Sequence, residues 1–282
     1  MPFRRTSIRA TKATGFYSPK RSRVVGSRVV GYDSDALVYI NAVEAADGQA
    51  LEGSVKDAYN TFVVSCKSDG IWSAIKASCI MAGARTLSGA LVPLVGVAPS
   101  GFNLASGTYS RVTGLKGDGA AMYLNSNRLS SADPQDNRHL AVFVTTGDTK
   151  SSTAAYIGGG ASGYAGILRG PTNTLSFYVS NDLQSLVMSP PQGDRTGLKS
   201  AVRSSATTIS GRSGGVVAFS GGIASRTDTS SRTINVFAQL YTSVSAYSNS
   251  RMSYYSIGEY LDLNKLDARV SGLMVAISGA IS

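Results

Sequence analysis

The chain has 282 residues, 43% of them hydrophobic and 16% charged, with a formal net charge of +10. It is too apolar for a disordered protein, and its longest apolar stretch, residues 90–98, is broken by Pro93 and Gly96, so nothing reads as a membrane span. Glu occurs only three times (Glu44, Glu52, Glu259) and His once (His139), which argues against an enzyme built on clustered histidines or glutamates.

The first 31 residues hold Arg4, Arg5, Arg9, Lys12, Lys20, Arg21, Arg23 and Arg28 and no acid, while residues 32–282 carry 19 Lys and Arg against 17 Asp and Glu. The body is therefore close to neutral, and the excess charge sits in an arm suited to a negative partner: acidic protein, nucleic acid or anionic membrane. The arm lacks the apolar core of a secretory signal. Gly15, Pro19, Gly26 and Gly31 interrupt the amphipathic helix that an organelle transit peptide needs. Spaced cations with the aromatic anchors Phe3, Phe16 and Tyr17 cannot bury enough area to fold alone, so the arm is expected to order on a partner.

Residues 34–84 read as a short helical module. Asp33 or Ser34 can cap a helix carrying Leu37, Ile40 and Val43, which stops near Gly48. Ser54-x-x-Asp57 matches a capping-box pattern, and Val55, Tyr59, Phe62 and Cys66 then fall on one helical stripe. Asp69 is placed to cap a third short helix with Ile71, Trp72, Ile75 and Cys79, finished by Gly83. That helix offers only Lys76, Ser73 and Ser78 on its outer face, so the module reads as packing rather than as a DNA-reading helix-turn-helix. Cys66 and Cys79 have no metal-ligand or CxxC spacing and read as buried thiols.

From residue 87 the period becomes two. Strands are predicted over residues 140–144, 175–179, 216–219, 234–240 and 252–257, separated by Gly and Ser clusters and by the turn Asp133-Pro134-Gln135-Asp136-Asn137. With 42 Ser and 31 Gly, the pattern argues for an antiparallel sandwich. Asp262 then caps an amphipathic helix whose stripe runs through Leu263, Leu266, Val270, Leu273, Ile277 and Ile281. Leu266, Val270, Leu273 and Ile277, with Tyr59, Phe62 and Val63, supply more apolar surface than a sheet edge covers, which implies an assembly interface and an oligomer.

The segment Ser253-Tyr254-Tyr255-Ser256-Ile257-Gly258-Glu259-Tyr260-Leu261, running into the last helix, resembles the strand-to-helix ending of tailed-bacteriophage virion proteins. Those proteins carry a concanavalin A-like (LamG-like) jelly roll. Residues 55–75, ending in Asp69-Gly70-Ile71-Trp72, resemble the helical lead-in of the same family. Phe102-Asn103-Leu104 and Leu115-Lys116-Gly117-Asp118-Gly119 match its first sheet loosely. The resemblance implies a mainly β fold: a two-sheet jelly-roll sandwich with a small helical module and a C-terminal helix. Charge and periodicity divide the chain into a basic arm (1–33), the module (34–84) and the sandwich with its helix (85–282). The resemblance also implies a non-enzymatic virion component such as a head decoration, fibre, collar or tail-associated protein, located in the virion.

Jelly rolls also occur in glycoside hydrolases, which need two carboxylates about 5–5.5 Å apart when retaining. No predicted strand carries such a pair: Asp133/Asp136 lie in a turn, Asp262/Asp267 on a helix, and Glu259 stands alone. His139, beside Arg138, reads as a packing or solvated residue, and no G-x-S-x-G is present. Asp133, Asp136, Asn137 and Asp118 are the one Ca²⁺ option, but Asp and Asn favour turns for backbone reasons, so no metal and no cofactor is expected. Tyr109, Tyr123, Tyr156, Tyr164, Tyr178, Tyr241, Tyr247, Tyr254 and Tyr255 suit subunit interfaces, and equally the stacking of sugars. The expected partners are other virion proteins and further copies of the chain, held by the arm cations. Two alternatives stay open: a module for host-surface glycans, and a small-virus capsid protein whose arm meets the genome.

Overall fold

The computed structural model describes residues 1, 31–172, 174–181, 186–188 and 196–281. Residues 1–31 and 32–282 are separate units. The eight arm cations lie outside the described residues, and the helices and strands of the described residues belong to the second unit.

Helix α1 (Ser34–Asp47) starts where the Asp33 carboxylate accepts the Asp35 amide and stops at Gly48, whose φ of 68° a glycine adopts without strain. It buries Ala36, Tyr39, Ile40 and Val43, which leaves Leu37, expected on that stripe, 42% exposed. Helix α2 (Gly53–Ser68) buries Val55, Tyr59, Phe62 and Cys66, as their spacing requires. Its N-cap is Glu52, without a side-chain cap bond, so the box expected from Ser54 and Asp57 does not form. Asp57 instead accepts from Tyr32 Oη at 3.0 Å.

The third helix is replaced by a strand. After one 3-10 turn at Trp72–Ala74 the chain enters β1 (Ile75–Ile80). This strand is covered on both faces: Ile75 and Ile80 pack toward the helices, Ala77 and Cys79 into the sandwich, with a register shift between Ile75 and Ala77. A strand buried on both sides reads as a continuous small-apolar run, which periodicity cannot separate from a helix. The boundary expected at residue 84 therefore moves back: the helical layer ends at residue 74, and the sandwich takes its first strand from the supposed module.

Helix α3 (Leu87–Ala90) and the short strands β2 (Pro93–Val95), β3 (Ser100–Phe102), β4 (Tyr109–Ser110) and β5 (Gly114–Lys116) follow. Longer strands come next: β6 (Tyr123–Leu129), β7 (Arg138–Thr146), β8 (Ala154–Gly159), β9 (Tyr164–Arg169) and β10 (Leu175–Asn181). The chain continues through β11 (Leu186–Met188), β12 (Gly197–Arg203), β13 (Thr208–Ser213), β14 (Val216–Gly222) and β15 (Thr233–Val236). It closes with β16 (Gln239–Leu240), β17 (Val244–Ser245), β18 (Arg251–Gly258) and helix α4 (Leu263–Ile281). The strand expected over 234–240 is interrupted because Phe237 turns to a φ of 69°, sending β16 alongside β8 as a parallel neighbour.

One sheet runs β14-β13-β12-β7-β18-β1-β2, with the β4–β5 hairpin on β18; the other runs β11-β10-β9-β8-β15-β6-β3. The chain is thus mainly β, a jelly-roll sandwich of two sheets, antiparallel apart from the β8–β16 pair, with a small helical module and a C-terminal helix. Leu140, Val142, Ile157, Ile167, Phe177 and Val236 fill the space between the sheets. A second core lies between the first sheet and the helices, and it changes the reading of α4. Leu266, Val270, Leu273 and Ile277 are 0%, 0%, 3% and 0% exposed and share this core with Tyr59, Phe62 and Val63. The two stripes expected to face other subunits face each other, so the four α4 residues are not an assembly interface.

Candidate functional site

The helical layer offers the best-formed surface. Helices α2 and α4 run antiparallel, because Asp69, at the end of α2, meets the start of α4: Arg269 Nε and Nη2 donate to its carboxylate at 2.7 and 2.9 Å, and Lys265 Nζ to its carbonyl at 2.9 Å. The Arg269 guanidinium holds the Asp69 carboxyl below the usual carboxylate range. Between the helices lies an open groove of about 350 Å³ with Phe62 and Leu273 at its base and Ala58, Thr61, Ala268 and Gly272 along its walls. Asp57 stands at the end opposite Asp69. A second hollow, about 340 Å³, lies between α1 and the edge strand β2, where Trp72 and Val38 meet Leu94. Trp72 Nε1 donates to Asp35 at 3.1 Å, and Lys67 Nζ lies 5.8 Å from the indole centroid.

A separate feature is an aromatic ledge at the edge of the second sheet. Phe102 on β3 and Tyr123 on β6 are register partners, and their rings stack at 4.6 Å with planes 3° apart. Tyr247 lies 6.3 Å from Tyr123. Phe102 is 41% exposed. On the same sheet Tyr164 meets Tyr178 and Tyr241 edge-on at 5.1 and 6.2 Å, with Arg232 5.7 Å from the Tyr241 ring. Of the other tyrosines singled out from sequence, Tyr156, Tyr254 and Tyr255 are fully buried, and Tyr109 donates to Ala84 O at 2.7 Å. Those four serve the interior.

Most of the residues weighed for chemistry are engaged in holding the fold, whereas Asp136 Oδ1 is buried without a hydrogen-bond partner among the described residues. His139 is buried, not solvated: Nδ1 donates to Glu259 O at 2.6 Å, and Nε2 accepts from Ser256 Oγ at 2.9 Å. Burial pushes its pKa down to about 4, so the ring is neutral at pH 7. Glu259 pairs with Lys76 at 3.1 Å. Asp133 binds Arg128. Asp118 takes the amides of Ala120, Ala121 and Met122 on one oxygen, at 2.8–2.9 Å, as a turn aspartate does. Asp262 caps α4 through the Asn264 amide at 2.8 Å, and Asp267 pairs with Arg212 at 3.3 Å. Among the described residues no group of three His, Cys, Asp or Glu is arranged to hold a metal ion. Cys66 and Cys79 are free and buried, and burial pushes the Cys66 thiol up to about 12.

Sequence reasoning passed over two buried guanidiniums on neighbouring strands. Arg138 and Arg203 are register partners on β7 and β12. Arg138 donates to the carbonyls of Pro134, Ser130 and Asp133, and Arg203 to those of Val179, Ser205, Ala206 and Ile223. They tie the loops at one end of the sandwich. The only signal was an arginine at each strand boundary, which a surface residue would show equally.

Neither a protein-family model nor a curated protein matches the chain. Solved structures do. A mutant of Trypanosoma rangeli sialidase displaying trans-sialidase activity is 8% identical, with a TM-score of 0.46 over 78% of this chain and 39% of that one. The binding domain of botulinum neurotoxin serotype D is 9% identical, with a TM-score of 0.48 over 71% of this chain and 51% of that one. The CBM40 of Ruminococcus gnavus IT-sialidase, bound to α2,3 sialyllactose, is 7% identical, with a TM-score of 0.38 over 48% of this chain and 82% of that one. The chain thus spans about two fifths of the length of the sialidase it matches. No helix among the described residues is long and apolar enough to cross a membrane.

Proposed function

We propose that this chain is a non-enzymatic structural component of a bacteriophage virion, attached through its basic N-terminal arm and displaying the sandwich. One observation carries the reading. The two segments that resemble phage virion proteins, near residues 55–75 and 253–277, lie about 200 positions apart yet form one packed unit. Arg269 reaches Asp69, Phe62 meets Tyr254 edge-on at 5.9 Å, and the α2 and α4 stripes share one core. A resemblance split over two distant segments gains weight when the segments build a single element of structure. The test is deletion of residues 1–31 followed by an incorporation assay in particles. Loss of incorporation is expected; normal incorporation would remove the arm from the attachment.

The second reading, a module for surface glycans, is favoured by the ledge of Phe102, Tyr123 and Tyr247. Flat rings at an exposed sheet edge suit the apolar face of a pyranose. Saturation-transfer NMR with a panel of host-surface oligosaccharides tests it, and loss of signal in Tyr123→Ala would assign it to the ledge.

A further inference from the structure

The β16–β17 hairpin crosses the outer face of the second sheet and covers a polar group that the fold leaves unsatisfied. Ile234 and Val236 point into the core between the sheets, so Asn235 between them faces outward. Asn235 is nevertheless 1% exposed, and neither Oδ1 nor Nδ2 of its amide has a hydrogen-bond partner among the described residues. A buried amide without partners costs stability that an apolar side chain would not. The register partners of Asn235 are Asn125 on β6 and Gly158 on β8. Gln239 of the hairpin pairs with the same Gly158, and a Cβ on Gly158 would strike Tyr164 Oη and lie 3.3 Å from Gln239 Cβ. The hairpin and Tyr164 therefore close over this stretch of the sheet. Both roots of the hairpin hold left-handed backbone without glycine, Phe237 at a φ of 69° and Ala246 at 52°. Strain of that kind persists where the surroundings hold a segment down, and it clusters at ligand clamps and switches. The hold on β16 is short: a two-residue ladder to β8, Gly160 N donating to Leu240 O at 3.1 Å, and Tyr164 Oη donating to Gln239 Oε1 at 2.7 Å.

The groups under and beside the hairpin fit one ligand chemistry. Tyr164 stands over Gly158 on one side of Asn235. On the other side lies Asn125, and two residues before it on the same face Tyr123 stacks on Phe102. An amide sets one acceptor and one donor side by side, which matches two neighbouring hydroxyls held in one plane. The flanking rings offer flat apolar faces. A pyranose whose hydroxyls are all equatorial carries both features, an apolar C–H face and hydroxyl pairs around its rim. We infer that the β16–β17 hairpin is a flap which a saccharide displaces from a site floored by Asn235, and that the ligand is a β-linked oligomer of gluco-configured sugars. The inference rests on the reading of the chain as a glycan module, and it extends that reading from the exposed ledge to the covered floor.

The test titrates the full-length chain with cellohexaose and chitohexaose by NMR and follows amide exchange in the free and saturated protein. Saturation should break the Gly160 N to Leu240 O bond and speed exchange of the Gly160 amide about tenfold or more, while β9 stays protected. Asn235→Ala should weaken binding about tenfold or more without lowering the melting temperature, because the amide leaves no bond behind in the free protein. An amide that served the fold alone would lower the melting temperature and leave binding unchanged. Tyr164→Phe keeps the ring but frees Gln239, so the flap opens more readily and binding should tighten about threefold. Wild-type affinity in Asn235→Ala, an unchanged Gly160 amide at saturation, or no tightening in Tyr164→Phe would each overturn the flap and its site. Binding that Tyr123→Ala abolishes and Asn235→Ala leaves intact would strike this inference and keep the glycan reading at the ledge. A chain that binds other surface oligosaccharides but neither of these two would overturn the ligand class proposed, and one that binds no oligosaccharide removes both readings.

Discussion

His139 is the only histidine in the chain, and its ring is sealed between β7 and β18. Its effect on stability can therefore be read without interference from other histidines. The folded ring titrates near 4 and the unfolded one near 6.5. As pH falls the unfolded chain takes up the proton first, so stability is full above about pH 6.5 and declines toward pH 4. Urea unfolding should show a loss of about 2 kcal/mol between about pH 7 and pH 5. His139→Gln should flatten that slope, and a wild-type curve without slope in this window would mean the ring is not sealed. Gly114 makes a second demand of the same scale. Its φ is 90°, and a Cβ there would lie 2.2 Å from Met252 O, so Gly114→Ala should cost about 3 kcal/mol by calorimetry or urea. A cost within about 0.5 kcal/mol would show that β5 and β18 do not approach this closely.

At the scale of elements, the stripes of α2 and α4 were legible because each is a one-sided helix with a clean spacing of three and four. What covers them was not. An apolar stripe states that something must cover it, and α2 covering α4 satisfies that requirement as well as another subunit would. Leu273→Ala should therefore destabilise the chain by about 3 kcal/mol, by the same amount at every protein concentration. A concentration-dependent loss would return α4 to an interface between copies. Strand β1 was illegible for a different reason: residues 75–80 are buried on both faces, and two-sided burial erases the alternation that marks a strand. The interruption at Phe237 was hidden in the same way, since no glycine marks its left-handed backbone. The ledge of Phe102 and Tyr123 needed the register of β3 against β6, which pairs residues 21 apart across the intervening β4–β5 hairpin. By contrast the caps at Asp33 and Asp262 stood in the sequence, because a cap is a local interaction.

For the whole molecule, charge is the organising fact: eight cations lie in the first 31 residues, while the remaining 251 are nearly balanced. Attachment through such an arm is screened as the Debye length shrinks from about 10 Å at 0.1 M to about 3 Å at 1 M salt. Release of the protein from particles should accordingly rise with ionic strength, and the arm's apolar side chains should leave a fraction that salt alone does not remove. Washing purified particles at stepped salt and quantifying the released chain checks this; release independent of salt would remove charge from the attachment. We propose that this sandwich is part of a virion. Electron cryomicroscopy of intact particles at side-chain resolution tests it most directly. Density is expected for the two sheets and the α1–α2–α4 layer at a repeated position on the particle, with an extended basic segment continuing onto a neighbouring subunit. Particles complete and infectious without this density would contradict it.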